Sequence, residues 1–250
     1  MPSRAARRST EPRAVCVLVS CEHATNHVPA AYRPLFRGAG AVLASHRGYD
    51  HGAATLAKHM ARALHAELLM GRATRLLADL NRHAHALAAL SEFSKQLTAD
   101  EQRRMLARWH TPYRAHAAAW VTRALADGAR VVHVSCHSFT PRLDGEIRHA
   151  DVGLLYDPQR PLEVALVRAW RAAIADRCPE LRLRRNYPYR GVADGLTQYL
   201  RKHAPAGGYA GIEIEINQRI TRGPRSRWQQ MRAMLCETAA IAIGGMGGTF

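Results

Sequence analysis

The chain has 250 residues, of which 47% are hydrophobic, and a chain of this length can bury one large core. A formal net charge of +16 favours nucleic acid or an acidic membrane surface as a partner. Lysine is rare, however, and the arginines are spread along an alanine-rich chain, so coding bias explains the excess as well as a polyanionic partner does.

The cysteines and the apolar runs exclude further classes of protein. Five cysteines with no Cys-x-x-Cys pair argue against a disulfide framework and a thiolate zinc site, and they suit a reducing cytoplasm. No apolar run approaches the roughly 18 residues of a membrane span. We expect residues 1–13 to form a disordered basic arm, residues 14–243 a single α/β domain and residues 244–250 a flexible tail.

The first half of the chain predicts strands and one amphipathic helix. Val15–Ser20 is a continuous apolar run rich in valine, typical of a strand buried in a parallel sheet. Apolar residues recur at helical spacing over Ala53–Leu64, and Asp50 is expected to be the N-cap of that helix. Two short strands are expected at Leu68–Met70 and Leu76–Leu77.

The second half predicts alternating helices and strands. A long alanine-rich helix is expected over Asp100–Asp127, with Gly128 at its C-terminal end. The elements after it are expected to be strands at Val131–Ser135, Val152–Tyr156 and Gly211–Asn217 and helices at Leu162–Arg177 and Ser226–Ile243. This alternation predicts an α/β fold with a mostly parallel sheet, in which ligands bind beyond the carboxyl ends of the strands.

Polar clusters at the ends of three predicted strands indicate a site. Glu22 and His23 follow the first strand, His137 and Ser138 follow another, and Glu215 ends a third. Two imidazoles and a carboxylate can hold a divalent metal ion, and a further glutamate can deprotonate water. The chain has 14 histidines, so an ordinary hydrogen-bonded or surface role remains an alternative for each one.

Two further groups of polar residues stand out. The segment from Asp79 to Arg82 offers a guanidinium that can bind a carboxylate, with an ordinary surface ion pair as the alternative. Glu213 and Glu215 share one face of their strand and need a metal or an arginine as partner if that face is buried. An exposed edge strand is the alternative there.

Six sequence blocks resemble, in order, those of the N-formylglutamate amidohydrolase family, from about Val15 to Arg219. They are VLVSCEHATNHVP, RGYDHGA, ATRLLADLNRH, CHSFTPRLDG with the following VGLLYD, NYPYRGVADG and GIEIEINQR. That family is similar in fold to the zinc carboxypeptidases and aspartoacylases. The resemblance therefore implies a three-layer α/β/α fold with a mostly parallel mixed sheet, like that of zinc exopeptidases.

The resemblance also implies the roles of individual residues. His23 and His137 match zinc-binding histidines, Glu215 matches the general base and Arg75 matches the arginine that stabilises the oxyanion. The substrate is expected to contact Asn81, Arg82, Ser138 and Arg190. The loop that begins at Asn186 is expected to close over the substrate.

The third metal ligand is open. The carboxypeptidase pattern has a glutamate three residues after the first histidine, but Asn26 occupies that position here. We expect Asp50, from the YDHGA segment, to be the third ligand, and Glu22 is the alternative.

The resemblance implies a metal-dependent amidohydrolase with one divalent ion, zinc. Its substrate would be a small acidic N-acyl amino acid such as N-formylglutamate, cleaved to the free amino acid and a carboxylate. The alternatives are a carboxypeptidase-like or deacylase activity on another acylated substrate, and a basic nucleic-acid-binding protein on the same fold. The sequence leaves open the acyl group, the amino acid, the native metal and the oligomeric state.

Overall fold

The structure is a computed structural model that describes residues 14–83 and 89–247. A main sheet is formed by β1 (Val15–Cys21), β2 (Glu67–Met70), β3 (Arg130–Phe139), β6 (Val152–Leu155), β7 (Leu183–Arg185) and β8 (Tyr209–Asn217). A separate small hairpin is formed by β4 (Arg142–Leu143) and β5 (Glu146–Ile147). The strand order of the main sheet is β2-β1-β3-β8-β6-β7.

The strand directions agree with the predicted fold class. β6 runs antiparallel to β8, whereas the other neighbouring pairs of the main sheet run parallel. The prediction of a mostly parallel mixed sheet is therefore confirmed. β8 lies between β3 and β6, so the edge-strand alternative for the acidic strand is wrong.

Helices cover both faces of the sheet. The described helices are α1 (Gly40–Ala44), α2 (Ala53–Ala63), α3 (Ala99–Trp109), α4 (Thr111–Ala126), α5 (Pro161–Arg177), α6 (Leu196–His203), α7 (Gln218–Thr221) and α8 (Arg225–Gly244). Buried residues of α2, α5 and α8 pack against one face, and those of α4 and α6 pack against the other. The three-layer arrangement predicted from the family resemblance is thus confirmed.

The alternation of side chains along the central strands explains the two faces. Val17 and Val19 belong to the cluster under α2, α5 and α8, whereas Leu18 points to the opposite face. On that opposite face, Leu18, Val131 and Tyr209 form an apolar layer under α4 and α6. Closer to the carboxyl ends of the strands the same face becomes polar, and the candidate site lies there.

His133 is the first polar side chain of this face along β3. Its Nε2 lies 2.7 Å from the hydroxyl of Ser20, and its Nδ1 lies 2.8 Å from the hydroxyl of Tyr209. The residue is fully buried, and this burial lowers the pKa of His133 to about 4. The imidazole therefore stays neutral in the folded protein at a pH where an unfolded chain would protonate it.

The free energy of unfolding should fall as the pH drops from 6.5 to about 4, because only the unfolded chain then takes up a proton at His133. The full contribution is about 3 kcal/mol. Urea unfolding at several pH values should show that His133→Asn lacks this component. Parallel pH profiles of the variant and the wild-type protein would contradict the assignment.

Three predictions of local structure are wrong. The stretch from Asp100 to Asp127 forms two helices, because Pro112 has no N–H and its ring crowds the preceding turn. Leu76 and Leu77 form a turn that bonds back to Thr74, not a strand. Asp50 is not an N-cap, since Gly52 precedes α2 and the Asp50 carboxylate turns towards the site.

The chain ends are only partly described. Gly244 is the last residue of α8, and the flexible tail stays a prediction. Residues 1–13, predicted to be a disordered arm, and residues 248–250 of the tail lie outside the described residues. Across the described parts, no helix combines the length and the apolar character needed to span a membrane.

Candidate active site

Neighbouring strands place three ionisable side chains in one row across the sheet. His137 in β3 pairs directly with Glu215 in β8. β1 and β3 pair Ser20 with Ser135, so Glu22 comes level with His137 just beyond the end of β1. His137 therefore lies within β3 and not after its strand as the sequence predicts, whereas Glu215 lies inside the predicted strand.

His23 and His137 approach each other beside Asp50. Oδ2 of Asp50 lies 3.3 Å from Nδ1 of His23 and 2.9 Å from Nδ1 of His137. The backbone N–H of Asp50 donates to the carbonyl of His23 at 3.0 Å, which holds this loop at the end of β1. Among the described residues, ligand atoms of these three side chains lie within 4.8 Å of one another, so the group could hold a metal ion.

The outer nitrogen of each imidazole meets a carboxylate. Nε2 of His23 lies 2.8 Å from Oδ1 of Asp79, and Nε2 of His137 lies 2.9 Å from Oε2 of Glu22. When Nε2 of each imidazole carries the proton, Nδ1 of each ring is free to bind a metal ion. The donor set therefore fits a divalent cation. It favours Asp50 over Glu22 as the third ligand, because Glu22 lies behind His137.

The site carries more buried negative than positive charge. Its buried carboxylates belong to Glu22, Asp50, Asp79, Glu213 and Glu215. The guanidinium of Arg75 contacts two of them, with Nη2 2.7 Å from Asp79 and Nη1 3.5 Å from Asp50. Buried charges are costly unless opposite charge compensates them. A divalent cation beside Asp50 would reduce this imbalance.

Proton affinities show where positive charge is favoured. Burial opposes a charged imidazole, but hydrogen bonds to Asp50 and Glu22 raise the pKa of His137 well above its ordinary value. Burial likewise opposes ionisation of Asp50, but the charge of His23 and the hydrogen bonds from both histidines hold its pKa below the ordinary value. The space between these side chains therefore favours a cation.

Glu215 differs from the other carboxylates because one oxygen has no partner. The residue is 4% exposed, and within the described residues its Oε2 accepts no hydrogen bond. Burial raises the pKa of Glu215 to about 8, with a further contribution from Asp50 and against the opposing charge of His137. A carboxylate with a free oxygen and a pKa near neutrality is suited to accept a proton from water.

Comparison with known families shows which family the chain belongs to. A family model described as N-formylglutamate amidohydrolase matches residues 15–221. The chain belongs to that family. The resemblance seen in the sequence is thereby confirmed, and amidohydrolase is the activity class that membership supports.

Two solved structures are similar to this amidohydrolase family member. Gene product Atu2144 from Agrobacterium tumefaciens is 29% identical, with a TM-score of 0.78 over 92% of this chain and 90% of that one. The N-formylglutamate amidohydrolase from Ralstonia eutropha JMP134 is 19% identical, with a TM-score of 0.69 over 93% of this chain and 94% of that one. The second likeness shows the fold alone. Among curated proteins, none matches the chain in sequence.

The site of this amidohydrolase opens into a pocket of about 170 Å³. The lining includes the nine residues proposed from the sequence, namely His23, Asp50, Arg75, Asn81, Arg82, His137, Ser138, Arg190 and Glu215. The fold therefore brings together residues that are far apart in the sequence. Their individual roles stay predictions.

Asn81 and Arg82 support one wall of the pocket. Oδ1 of Asn81 accepts the N–H of Leu196 at 2.6 Å, and Nη1 of Arg82 donates to the carbonyl of Asp194 at 2.8 Å. A Cβ at Gly195 would lie 3.0 Å from Oδ1 of Asn81, so a glycine permits this close approach. The two residues thus position the start of α6 in addition to facing the pocket.

The loop from Asn186 to Arg190 also contributes to the pocket. Oδ1 of Asn186 accepts the N–H groups of Tyr156 at 3.0 Å and Gly191 at 3.1 Å. Exposed side chains of Tyr189 and Arg190 line the pocket. The base of the loop is therefore tied to the end of β6, while its two exposed side chains reach the site.

Sequence reasoning gave three residues of the site no role of their own. It treats Asp79 as part of the substrate-binding segment, whereas the structure bonds it to His23 and Arg75. Its position two residues before Asn81 was the sequence feature that could have indicated a place in the site. Tyr189 and Asp194 also line the pocket, and no local pattern separates them from other loop residues.

Proposed function

We propose that the chain hydrolyses the amide bond of a small acidic N-acyl amino acid, such as N-formylglutamate, to the free amino acid and a carboxylate. One observation carries this proposal. The group of His23, Asp50 and His137 shares a buried pocket with Glu215, whose Oε2 lacks a partner among the described residues. Metal-assisted hydrolysis requires such a combination of an ion site and a base.

We propose zinc as the ion, with His23, Asp50 and His137 as its ligands. Two imidazole nitrogens and one carboxylate oxygen are a known donor set of catalytic zinc sites. When bound, the ion would supply a Lewis acid that makes water more acidic and attracts negative charge on the substrate oxygen. Asp79 would fix the ring orientation of His23 through its 2.8 Å contact.

Glu215 would carry the proton transfers. Its carboxylate takes a proton from the attacking water and delivers it to the leaving amine nitrogen. A pKa raised to about 8 by burial gives the side chain enough proton affinity for the first step and allows release in the second.

Arg75 would stabilise the charge that develops on the amide oxygen. Asp79 and Asp50 hold its guanidinium, yet 26% of the side chain remains exposed at the pocket. Neighbouring carboxylates raise the pKa of Arg75 above its ordinary value, so the group stays charged. A fixed positive charge lowers the barrier because it needs no reorientation during the reaction.

The acidic part of the substrate would bind to the basic and neutral polar side chains that line the pocket. Arg82 and Arg190 supply guanidinium groups, and Asn81 and Ser138 supply neutral polar groups around the same pocket. A guanidinium binds a carboxylate through two parallel hydrogen bonds, which fixes orientation as well as charge. These residues would therefore distinguish acidic from neutral N-acyl amino acids.

Arg82→Lys should raise KM by about 10- to 100-fold and leave kcat within a few-fold, because lysine keeps the charge but loses the paired hydrogen bonds. Steady-state kinetics of the purified variant checks this. Arg171→Lys, on an exposed position of α5, is the matched control and should behave as wild type. A lower kcat at unchanged KM would instead assign Arg82 to the chemical step.

A substrate screen tests the function as a whole. The zinc-loaded protein is incubated with N-formyl and N-acetyl derivatives of acidic and neutral amino acids, and release of the free amino acid is measured. N-formylglutamate and related acids should be cleaved fastest. Preference for another acyl group would support the deacylase alternative, and salt-sensitive DNA binding without hydrolysis would support the nucleic-acid alternative.

We also propose a cytoplasmic location. The five cysteines are free, and Cys21, Cys136 and Cys236 are buried, which suits a reducing compartment. Cell fractionation would test this, with recovery outside the cytoplasmic fraction as the contrary result.

A further inference from the structure

Glu22 is a fully buried carboxylate behind the candidate metal site. Its Oε2 accepts the Ser135 hydroxyl at 2.6 Å and lies 2.9 Å from Nε2 of His137. Its Oε1 lies 3.3 Å from the hydroxyl of Tyr113. The carboxylate thus binds side chains from both β3 and α4, and it has no exposed surface.

The sheet fixes the position of Glu22 relative to His137. β1 and β3 are parallel and pair Ser20 with Ser135, so the next position on the same face brings Glu22 beside His137. The backbone is also tightly packed here, since a Cβ at Gly71 would lie 2.1 Å from the carbonyl oxygen of Glu22. The contact therefore follows from the strand pairing and from close backbone packing.

With a cation between His137 and Asp50, the contact with Glu22 would favour the tautomer of His137 that is protonated at Nε2. A neutral imidazole carries one proton, and an acceptor at Nε2 holds it there. Nδ1 then keeps its lone pair on the side of Asp50, which lies 2.9 Å away. A carboxylate at the outer nitrogen also makes the imidazole a stronger donor to a cation.

A purely structural role would not require the charge of Glu22. A glutamine has the same shape and could still accept from His137 Nε2, whereas burying a carboxylate carries a large desolvation cost. Ser135 also lies 2.9 Å from Nε2 of His137, so a neutral oxygen is already available. An electrostatic contribution to the proposed ion site explains why residue 22 is a glutamate and not a glutamine.

We propose that Glu22 is a positioning residue that orients His137 and raises the affinity of the site for a divalent metal ion. This inference rests on the proposed metal dependence. Glu22 itself does not contact the ion or the substrate.

The test compares zinc affinity in Glu22→Gln and wild-type protein by competition with a chromophoric chelator. The dissociation constant should rise by about 10- to 100-fold in the variant. The visible spectrum of the cobalt-substituted protein should also change, because it reports on the ligand field of His137. Neither readout depends on catalytic activity.

Glu163→Gln is the matched control. Glu163 is also fully buried and forms two 2.9 Å contacts with Arg201, away from the metal site. This variant should lose thermal stability but keep the zinc affinity and cobalt spectrum of the wild type. If Glu22→Gln does not fold, Glu22→Asp carries the test, since its shorter side chain withdraws the charge from His137.

The outcomes separate the two proposals. Wild-type zinc affinity and an unchanged cobalt spectrum in the folded Glu22 variant would overturn the positioning role and leave the proposed function intact. An equal loss of affinity in Glu163→Gln would also overturn it, because general destabilisation would then explain the effect. Failure of the wild-type protein to bind zinc or cobalt would overturn the metal dependence itself, and the positioning role with it.

Discussion

Glu215→Gln should lower kcat by about 10²- to 10⁴-fold with little change in KM, the range expected for loss of a general base. Glutamine has the same shape but cannot take a proton from water. Its amide can still occupy the buried position in β8 beside His137. The loss should therefore appear in the chemical step and not in substrate binding.

Steady-state kinetics on zinc-loaded protein, with zinc content measured in parallel, checks this result. Glu237→Gln is the control, since that carboxylate is exposed and pairs with Arg177 at the surface. Retention of more than about a tenth of wild-type kcat by Glu215→Gln would fall outside the range for a general base and exclude Glu215 from that role.

The pH dependence of kcat/KM should also identify Glu215 as the general base. Glu215 must be ionised to act as a base, so kcat/KM should fall as the pH decreases through its pKa. Without a metal ion that pKa is raised to about 8, mainly by burial, and a nearby cation would lower it. The acidic limb of the wild-type profile should therefore have its midpoint below 8, and Glu215→Gln should lack that limb.

Stability should move in the opposite direction from activity. Because the pKa of Glu215 is raised in the folded protein, ionisation costs stability progressively between the ordinary glutamate value of 4.5 and about 8. In metal-free protein, Glu215→Gln removes this cost. Its melting temperature at pH 8 should not fall below that of the wild type.

The central strands could be predicted because their sequences are buried on both faces. VCVLVS and GIEIEIN form β1 and β8. The rule that ligands bind at the carboxyl ends of parallel strands predicts from sequence alone that His23, His137 and Glu215 lie near one another. The direct pairing of His137 with Glu215 could not be predicted, because register depends on crossover connections far apart in the sequence.

The predictions of local structure are wrong where long-range packing determines the backbone conformation. Leu77 is apolar enough for a strand, but it is fully buried in a cluster with Phe36 and Met105, and the turn at Thr74 delivers it there. The sequence predicts Asp50 as the N-cap of α2, yet Gly52 takes that position with φ of 84°. A Cβ at Gly52 would also lie 2.6 Å from Cβ of Thr221, a contact that no local pattern reveals.

The distinction between Asp50 and Glu22 is of the same kind. Both are acids near a histidine in the sequence, and their types alone do not rank them as metal ligands. The structure separates them by the nitrogen that each approaches, Nδ1 of His137 for Asp50 and Nε2 for Glu22. The orientation of the imidazole, which follows from its strand and its neighbours, is therefore what the sequence alone could not supply.

His137→Ala should abolish zinc binding and reduce hydrolysis to the uncatalysed background. The change removes a proposed ligand and leaves Asp50 and Glu22 without their shared partner. Loss of a direct ligand should weaken metal affinity by more than the roughly 10- to 100-fold that follows loss of an outer partner. Chelation of the wild-type protein should cause the same loss of activity, reversed by zinc only when His137 is present.

His133→Asn is the matched control for this change. His133 lies on the same face of β3 and is fully buried, but it bonds Ser20 and Tyr209 and does not line the pocket. Both variants should lose stability, so circular dichroism and melting curves must first show that they fold. Only His137→Ala should then lose stoichiometric zinc. If folded His137→Ala retained zinc and activity, the group of His23, Asp50 and His137 would not be the catalytic ion site.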